Sequence, residues 1–350
     1  MDFENNLEEQ QEIIGGTCCV CGQHEINSSE NSISLLCMDC QKKYSRFSVP
    51  KWIKYFMAAL LLITVLMLMQ MPSVIGLYEV YRDAERSRNA REYIPASLGY
   101  MSVLENYSGS VSIIMNALDS SIGAQNFDYA AYIFEEYLVG KKLTDEQYEQ
   151  AMGIMAFLDS HYNTQELIQE VLNDHGEDTE GAKNALRELI KNSDIDKSLV
   201  YFVLANITED NQARMEYMLL STKQNELCTY AIAYYGNELR RVGKYDEALN
   251  TYNYALSRNA SDTYAMRGAG IVMQLMGDIA GGLQIIRKAY DIDPEGRYIK
   301  EAIIIALCEN AMREEAMTIL ESSLAGGYVF GQDLYDYLDG KTTMVKYYTE

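Results

Sequence analysis

The chain has 350 residues, enough for two or three domains, and a formal net charge of -22 at pH 7. Residues 55–77 carry no charge, and the part beyond residue 77 carries about -19. A domain this acidic repels nucleic acid and anionic lipid, so we expect its partners among neutral or basic polypeptides. We expect residues 1–16 to form a disordered acidic amino terminus.

Four of the seven cysteines form two C-x2-C pairs, Cys18 with Cys21 and Cys37 with Cys40, separated by 15 residues. This spacing lets two tight turns offer four thiolates to one tetrahedral zinc ion, with bonds of about 2.3 Å. The residues between the pairs end in a short apolar alternation, as expected for a small β-hairpin. A segment this small would need the metal to hold it folded. The alternative, a disulfide cluster in an oxidising compartment, is disfavoured by the spacing.

The stretch over residues 17–41 resembles the zinc-ribbon family, whose knuckles have the patterns C-x-x-C-G and C-x-x-C. The resemblance implies a structural zinc ion (Zn2+) in a module that we place at residues 17–48. Cys19 departs from the family pattern and leaves open whether Cys18 or Cys19 accompanies Cys21. Cys18 is preferred because Cys19 would give C-x-C, and His24 could replace a thiolate only at a poorer spacing.

Residues 55–77 form an apolar run without a charge. As a helix the run spans about 34 Å, enough to cross a hydrocarbon core of about 30 Å. It starts too deep in the chain and is too long for a cleaved signal peptide. Trp52 and Tyr55 at one end and Tyr78 and Tyr81 at the other fit interfacial anchors. The sequence therefore predicts a single-pass membrane protein with its transmembrane helix at residues 55–77.

The flanks of this run predict its orientation. Five basic residues lie within 42–54 and four within 82–91, a small excess that favours a cytoplasmic amino terminus. Zinc thiolates persist best in a reducing cytosol, so the metal site favours the same orientation. The repeat region would then be extracytoplasmic. Between the membrane and the repeats we expect a charged juxtamembrane helix over 78–94 and a linker rich in Ser, Gly and Tyr over 95–110.

From residue 229 to 325 the sequence repeats with a period of 34 residues. Certain positions hold small residues in successive units, and one position between them holds bulky residues. Small residues let paired helices cross closely, and bulky ones fill the seam between them. The small positions hold Ala248, Gly282 and Ala316; Ala255, Ala289 and Ser323; and Gly236 and Gly270; the bulky position holds Tyr252, Ile286 and Leu320.

This pattern resembles the tetratricopeptide repeat (TPR) family, with three repeats over residues 229–325. The resemblance implies an all-α fold, a TPR-like helical solenoid. Weaker copies at 126–138 and 198–220 extend it, so we expect about six helix pairs over residues 111–325, with a cap or tail at 326–350. An irregular helical bundle in the first half is the alternative. The complete prediction is this solenoid, preceded by the zinc-ribbon β-hairpin module and one transmembrane helix.

The TPR resemblance also implies a concave binding face built from the first helix of each pair. Tyr230, Tyr264 and Tyr298 recur at one position of three successive repeats. They could form a ladder that holds an extended peptide, or they could fill the gaps between neighbouring repeats, and the sequence supports both. The family's geometry places five more residues at groove positions, namely Asn237, Arg240, Arg267, Ile271 and Glu301.

No enzyme signature accompanies these features. His161 and His175 are expected in solvated turns without a nucleophile or carboxylate motif, and the glycines between residues 268 and 282 fall at helix-packing positions rather than in a phosphate loop. We therefore predict a non-enzymatic protein. The first hypothesis is a membrane-anchored scaffold whose solenoid binds a polypeptide with aromatic or basic residues. The second is a regulatory or signalling protein that couples external partner binding to a cytoplasmic complex through the zinc ribbon.

Overall fold

The structure, a computed structural model, divides the chain into two units, Met1–Val74 and Ile75–Glu350. The regular elements of its described part are helices. The β-hairpin predicted between the cysteine pairs falls mainly on residues 24–35, which lie outside the described residues, as does most of the predicted disordered amino terminus. The described residues are 16–23, 36–45, 49–192, 194–224 and 229–349.

Helix α1 (Met38–Ser45) belongs to the first unit and begins directly after Cys37. Cys40 therefore lies in the first turn of a helix, where the sequence predicted a second tight turn. The boundary between the units falls within α2 (Lys51–Asn89). The most apolar stretch of α2 is not buried, and by length and composition α2 is the one helix of the described part that could cross a membrane.

The second unit consists of helices that pack against one another in chain order. A π-helical turn, Phe134–Leu138, follows the third of them. Their bounds are α3 (Tyr93–Asn106), α4 (Val111–Gly123), α5 (Phe127–Ile133), α6 (Asp145–His175), α7 (Thr179–Leu189), α8 (Lys197–Asn206), α9 (Asn211–Gln224), α10 (Tyr230–Arg241), α11 (Tyr245–Arg258), α12 (Thr263–Leu275), α13 (Ile279–Ile292), α14 (Ile299–Glu309), α15 (Arg313–Ala325), α16 (Gln332–Leu338) and α17 (Met344–Thr349).

The predicted repeats form three helix pairs, α10 with α11, α12 with α13, and α14 with α15. Tyr252 fills the seam of the first pair and has no exposed surface. A Cβ at Gly236 would come within 2.7 Å of the Tyr252 ring, and one at Gly268 would come closer still. The helices can approach this closely because these positions lack side chains. The TPR-like solenoid predicted from the sequence is therefore confirmed for these pairs.

Aspartate side chains begin two of the repeat helices. Asp262 accepts a hydrogen bond from the Ala265 amide at the start of α12, and Asp278 accepts one from the Gly281 amide at the start of α13. Each carboxylate satisfies an amide that has no partner within its own helix. Local capping thus fixes where these helices start, and the close crossings fix how they pair.

The predicted linker over 95–110 is wrong for most of its length. Residues up to Asn106 belong to α3, which pairs with α4 and buries Tyr100 completely. Pro95 lies in the first turn of α3, where a proline is tolerated. Position 99 requires a glycine because a Cβ there would lie only 2.7 Å from the Ala84 Cβ of α2. The residues that favoured a loop in the sequence therefore serve helix packing.

Candidate metal centre and candidate binding groove

Cys18, Cys21, Cys37 and Cys40 form one cluster in which all four sulfur atoms lie within 4.8 Å of one another. The Gly22 amide donates to the Cys18 carbonyl at 2.8 Å and closes the turn that holds the first pair. Gly22 has a φ of 63°, which favours glycine there. The Cys40 amide donates to Cys37 Sγ at 3.5 Å, so the start of α1 holds the second pair.

The cluster has the dimensions of a tetrahedral zinc site. Cys21 Sγ and Cys37 Sγ lie 3.7 Å apart, and four bonds of about 2.3 Å to one tetrahedral ion give sulfur separations of about 3.8 Å. Cys18 is 1% exposed and belongs to the cluster, whereas Cys19 is exposed and lies outside it. The geometry thus favours Cys18 over Cys19 as the partner of Cys21, and His24 lies outside the described residues.

The neighbouring thiols disfavour the ionisation of Cys40. The hydrogen bond with the Cys37 side chain, followed by burial, raises the pKa of Cys40 to about 12. Four crowded sulfur atoms can all be thiolates only if a cation neutralises them. A bound zinc ion would supply that charge and would crosslink the turn at Gly22 to α1.

In the second unit, the first helices of the repeats carry a row of aromatic side chains. The Phe202 and Tyr234 ring centroids lie 4.8 Å apart, and Tyr234 stacks on Tyr264 at 4.5 Å. Tyr230 packs edge-on against Phe202 at 5.2 Å. Two of the three predicted groove tyrosines, Tyr230 and Tyr264, therefore pack against the preceding helix pair, as the packing alternative expects.

Tyr298 differs from the other two tyrosines because its side chain is 51% exposed. Tyr298 lies immediately before α14, and its backbone has the left-handed conformation with a φ of 59°. The buried Arg267 guanidinium lies 4.3 Å from the Tyr264 ring centroid and 5.6 Å from that of Tyr298. Arg267 also donates a hydrogen bond to the carbonyl of Arg297. Cation–π contacts thus continue the aromatic row to Tyr298, which offers an accessible ring to a partner.

Asn237, predicted at the groove, is a hydrogen-bonding centre between helices. Its Oδ1 accepts from the Tyr252 hydroxyl at 2.6 Å, and its Nδ2 donates to the Tyr264 hydroxyl. Burial raises the pKa of Tyr252 to about 12, so this phenol remains a donor at neutral pH. Asn237 therefore joins α10, α11 and α12 where they meet.

The remaining predicted groove residues surround one cavity of about 270 Å³. Glu301 is one of them, and it is buried with its carboxylate accepting from the Tyr328 hydroxyl at 3.0 Å. Tyr347 and Tyr348 of α17 and Asp333 of α16 also line the cavity, and α17 contacts both α10 and α12. The chain therefore covers part of its own groove with α17, which the sequence pattern did not indicate. The predicted groove residues that line the cavity are Arg240, Arg267, Ile271, Tyr298 and Glu301.

His161 corrects the expectation of a solvated histidine in a turn. It lies within α6 and is 3% exposed, with Nδ1 2.8 Å from an Asp196 carboxylate oxygen and Nε2 3.2 Å from Gln165 Nε2. Asp196 also caps α8 by accepting from the Ser198 amide at 3.0 Å. The residues around His161 resemble a turn in sequence, but α6 continues through them because its neighbours bury that face.

No protein-family model matches this chain, and no curated protein matches it. Solved structures similar to it include MamA from Desulfovibrio magneticus RS-1, with 16% identity, 48% of this chain and 94% of that chain covered, and a TM-score of 0.38. YrrB, described as a TPR protein with an unusual peptide-binding site, has 16% identity, coverages of 58% and 96%, and a TM-score of 0.31. The TPR domain of P58(IPK) has 10% identity, coverages of 72% and 84%, and a TM-score of 0.27. This likeness concerns the fold alone.

Proposed function

We propose that this chain is a membrane-anchored, non-enzymatic scaffold whose TPR-like helices bind a polypeptide partner. The observation that carries the proposal is the groove at α10, α12 and α14. There the exposed ring of Tyr298 continues an aromatic row beside a cavity of about 270 Å³. A tyrosine offers a large contact area and loses little conformational entropy when it is covered, which suits it to polypeptide recognition.

The charges around the groove define the partner more closely. The chain beyond residue 77 carries about -19, whereas the cavity is lined by three arginines, Arg240, Arg241 and Arg267, and by two acidic residues, Glu301 and Asp333. The opposite charges nearly balance at the cavity, and its tyrosines and Ile271 supply apolar surface, so we propose that aromatic and apolar side chains of the partner enter it. Basic residues elsewhere in the partner would then meet the acidic surroundings and accelerate encounter, an effect that salt weakens.

We propose further that residues 55–77 of α2 span a membrane, with the amino terminus in the cytoplasm and the solenoid outside it. The apolar side chains described in this stretch are exposed rather than packed in a protein core, and they need a hydrophobic surrounding. The four-cysteine cluster would hold a structural zinc ion, which favours the reducing side of the membrane.

Site-specific crosslinking tests the binding role. Tyr298 is replaced by the photo-reactive p-benzoylphenylalanine in the full chain, in its native cells. Tyr254 receives the same replacement as a control, because it is similarly exposed (57%) but lies on α11, away from the groove. We expect an adduct with another polypeptide at position 298 and little at 254. Equal adducts at both positions, or none at 298, would contradict the proposed function.

A further inference from the structure

We propose that α17 is an internal ligand of the groove, and that the groove is shaped for a short helix with an apolar residue and a tyrosine four positions apart. The inference rests on the proposed function and deepens it, because it names the kind of segment that a partner must present. It also implies that a partner must displace α17 before it can bind.

The burial pattern of α17 shows which face the groove holds. Met344 is 7% exposed and Tyr348 9%, whereas Val345 between them is 50% exposed. Met344 and Tyr348 are one helical turn apart and lie on the same face. A helix of six residues is not stable alone in water, so its contacts with the groove hold α17 in this form.

Specific contacts join this face to the predicted groove residues. The Arg240 guanidinium lies 5.4 Å from the Tyr348 ring centroid. Met344 and Tyr348 also belong to the same hydrophobic core cluster as Ile271 of α12. α17 therefore occupies the position at which the TPR resemblance places a bound polypeptide, but as a helix rather than as the extended peptide that the sequence suggested.

The fit of α17 to the groove is incomplete. Among the described residues, several buried polar atoms at this place have no hydrogen-bond partner, namely Nε and Nη1 of Arg240, Nε of Arg267 and the hydroxyl of Tyr348. Unpaired buried donors disfavour a bound state. A helix that placed Met and Tyr as α17 does, and also offered acceptors to these donors, would bind more tightly than α17.

The connection before α17 allows it to leave without unfolding its neighbour. α16 has its own buried anchor, Leu334, which has no exposed surface, and it touches α17 through the Tyr337 and Tyr347 rings, whose centroids lie 6.4 Å apart. Gly340 follows α16 with a φ of 73° and begins the turn that leads to α17. A change of backbone conformation near Gly340 can release α17 while α16 remains packed.

A peptide with the sequence of residues 341–350 serves as the probe, and no partner needs to be known. The full chain in detergent carries Met344→Ala and Tyr348→Ala together, which should unseat α17. We expect the labelled peptide to bind this variant about tenfold or more tightly than the unchanged chain, where α17 competes. Val345→Ser, on the exposed face of α17, should behave like the unchanged chain. Adding Arg240→Gln to the double variant should weaken the peptide again.

Equal binding of the peptide to the double variant and the unchanged chain would overturn the proposal. Because the double variant could lose stability, hydrogen exchange of the unchanged chain gives a second test. The amides of residues 344–349 should exchange much faster than those of Ile303 to Leu307 in α14, since α17 opens alone. Equally slow exchange in both segments would overturn it too. Neither measurement depends on the crosslinking at Tyr298, so this inference and the proposed function can fail separately.

Discussion

Among single residues, the cysteines of the first unit allow the most direct prediction. Cys40→Ser should abolish zinc binding and unfold the segment around α1, because structural zinc in small modules contributes on the order of 10 kcal/mol. Cys19→Ser is the matched control: Cys19 is exposed and lies outside the sulfur cluster, so zinc should be retained. Metal analysis of the full chain, purified under reducing conditions, measures both.

Two results would contradict this assignment. If the purified full chain did not contain about one zinc ion per molecule, the assignment of a zinc site would be wrong. Loss of zinc from the Cys19→Ser variant would mean that Cys19 is a ligand in place of Cys18. The same analysis with Cys21→Ser should match Cys40→Ser, since its sulfur lies 3.7 Å from that of Cys37.

At the scale of the helical element, the close crossing of α12 with α11 is testable through one glycine. Gly268→Ala places a methyl group against the Tyr252 ring, which is fully buried and cannot move away. We expect the free energy of unfolding to fall by about 1–3 kcal/mol. Gly153→Ala is the control, because a Cβ at that exposed site in α6 meets nothing within 4 Å.

Thermal melting followed by circular dichroism compares the two glycine variants. Gly153→Ala should leave stability unchanged or raise it by about 0.5–1 kcal/mol, because alanine has the higher helix propensity. If Gly268→Ala melted at the same temperature as the unchanged chain, the close packing of these repeats would be wrong.

The orientation of α2 is a second prediction at this scale. Ser108 is exposed in the connection between α3 and α4, and Val49 is exposed just before α2. Each is replaced by cysteine, as Ser108→Cys and Val49→Cys. A membrane-impermeant thiol reagent applied to intact cells should label position 108 above the level of the parent chain and leave position 49 unlabelled until lysis. The reverse pattern would show that the orientation is opposite to the one proposed. Labelling of both positions in intact cells would show that α2 does not span the membrane.

At the scale of the whole second unit, contacts distant in sequence tie the first helices to the repeats. The Arg91 side chain donates to the Ser257 carbonyl at 2.7 Å, and the Ala260 amide donates to the Arg91 carbonyl at 2.8 Å. The Ile94 amide donates to Ser261 Oγ at 2.9 Å. Arg91 and the first turn of α3 are therefore held by the end of α11 and the turn that follows it, which the local sequence pattern did not indicate.

Ser261→Ala tests this connection. Ser261 is fully buried, and its removal leaves the Ile94 amide without its acceptor, so we expect a loss of about 1–3 kcal/mol in the free energy of unfolding. Ser257→Ala is the control: its exposed hydroxyl serves only the Tyr254 carbonyl, and its own carbonyl still accepts from Arg91. That change should stay within about 0.5 kcal/mol. Equal losses in denaturant unfolding would show that the long-range contact contributes nothing.

Features that depend on neighbours along the chain could be predicted from the amino-acid sequence. The 34-residue period predicted α10 to α15, since helical pairing repeats wherever small and bulky residues recur. The spacing of the cysteine pairs predicted which four sulfur atoms meet, because each pair is closed by a local turn or helix start. The uncharged run at 55–77 predicted the long exposed helix, although the membrane itself remains a proposal.

Features that depend on contacts between residues far apart in the chain could not be predicted in this way. His161 is buried because Asp196 lies on a neighbouring element, and α3 is a helix because α4 covers it. Tyr230, Tyr264 and Tyr298 share one repeat position, but the first two are covered by aromatic rings of the preceding helices and the third is exposed. The i, i+4 spacing of Met344 and Tyr348 could have indicated a short amphipathic helix. That this helix lies in the groove follows only from contacts between distant parts of the chain, because burial is set by what packs on a side chain and not by its own sequence position.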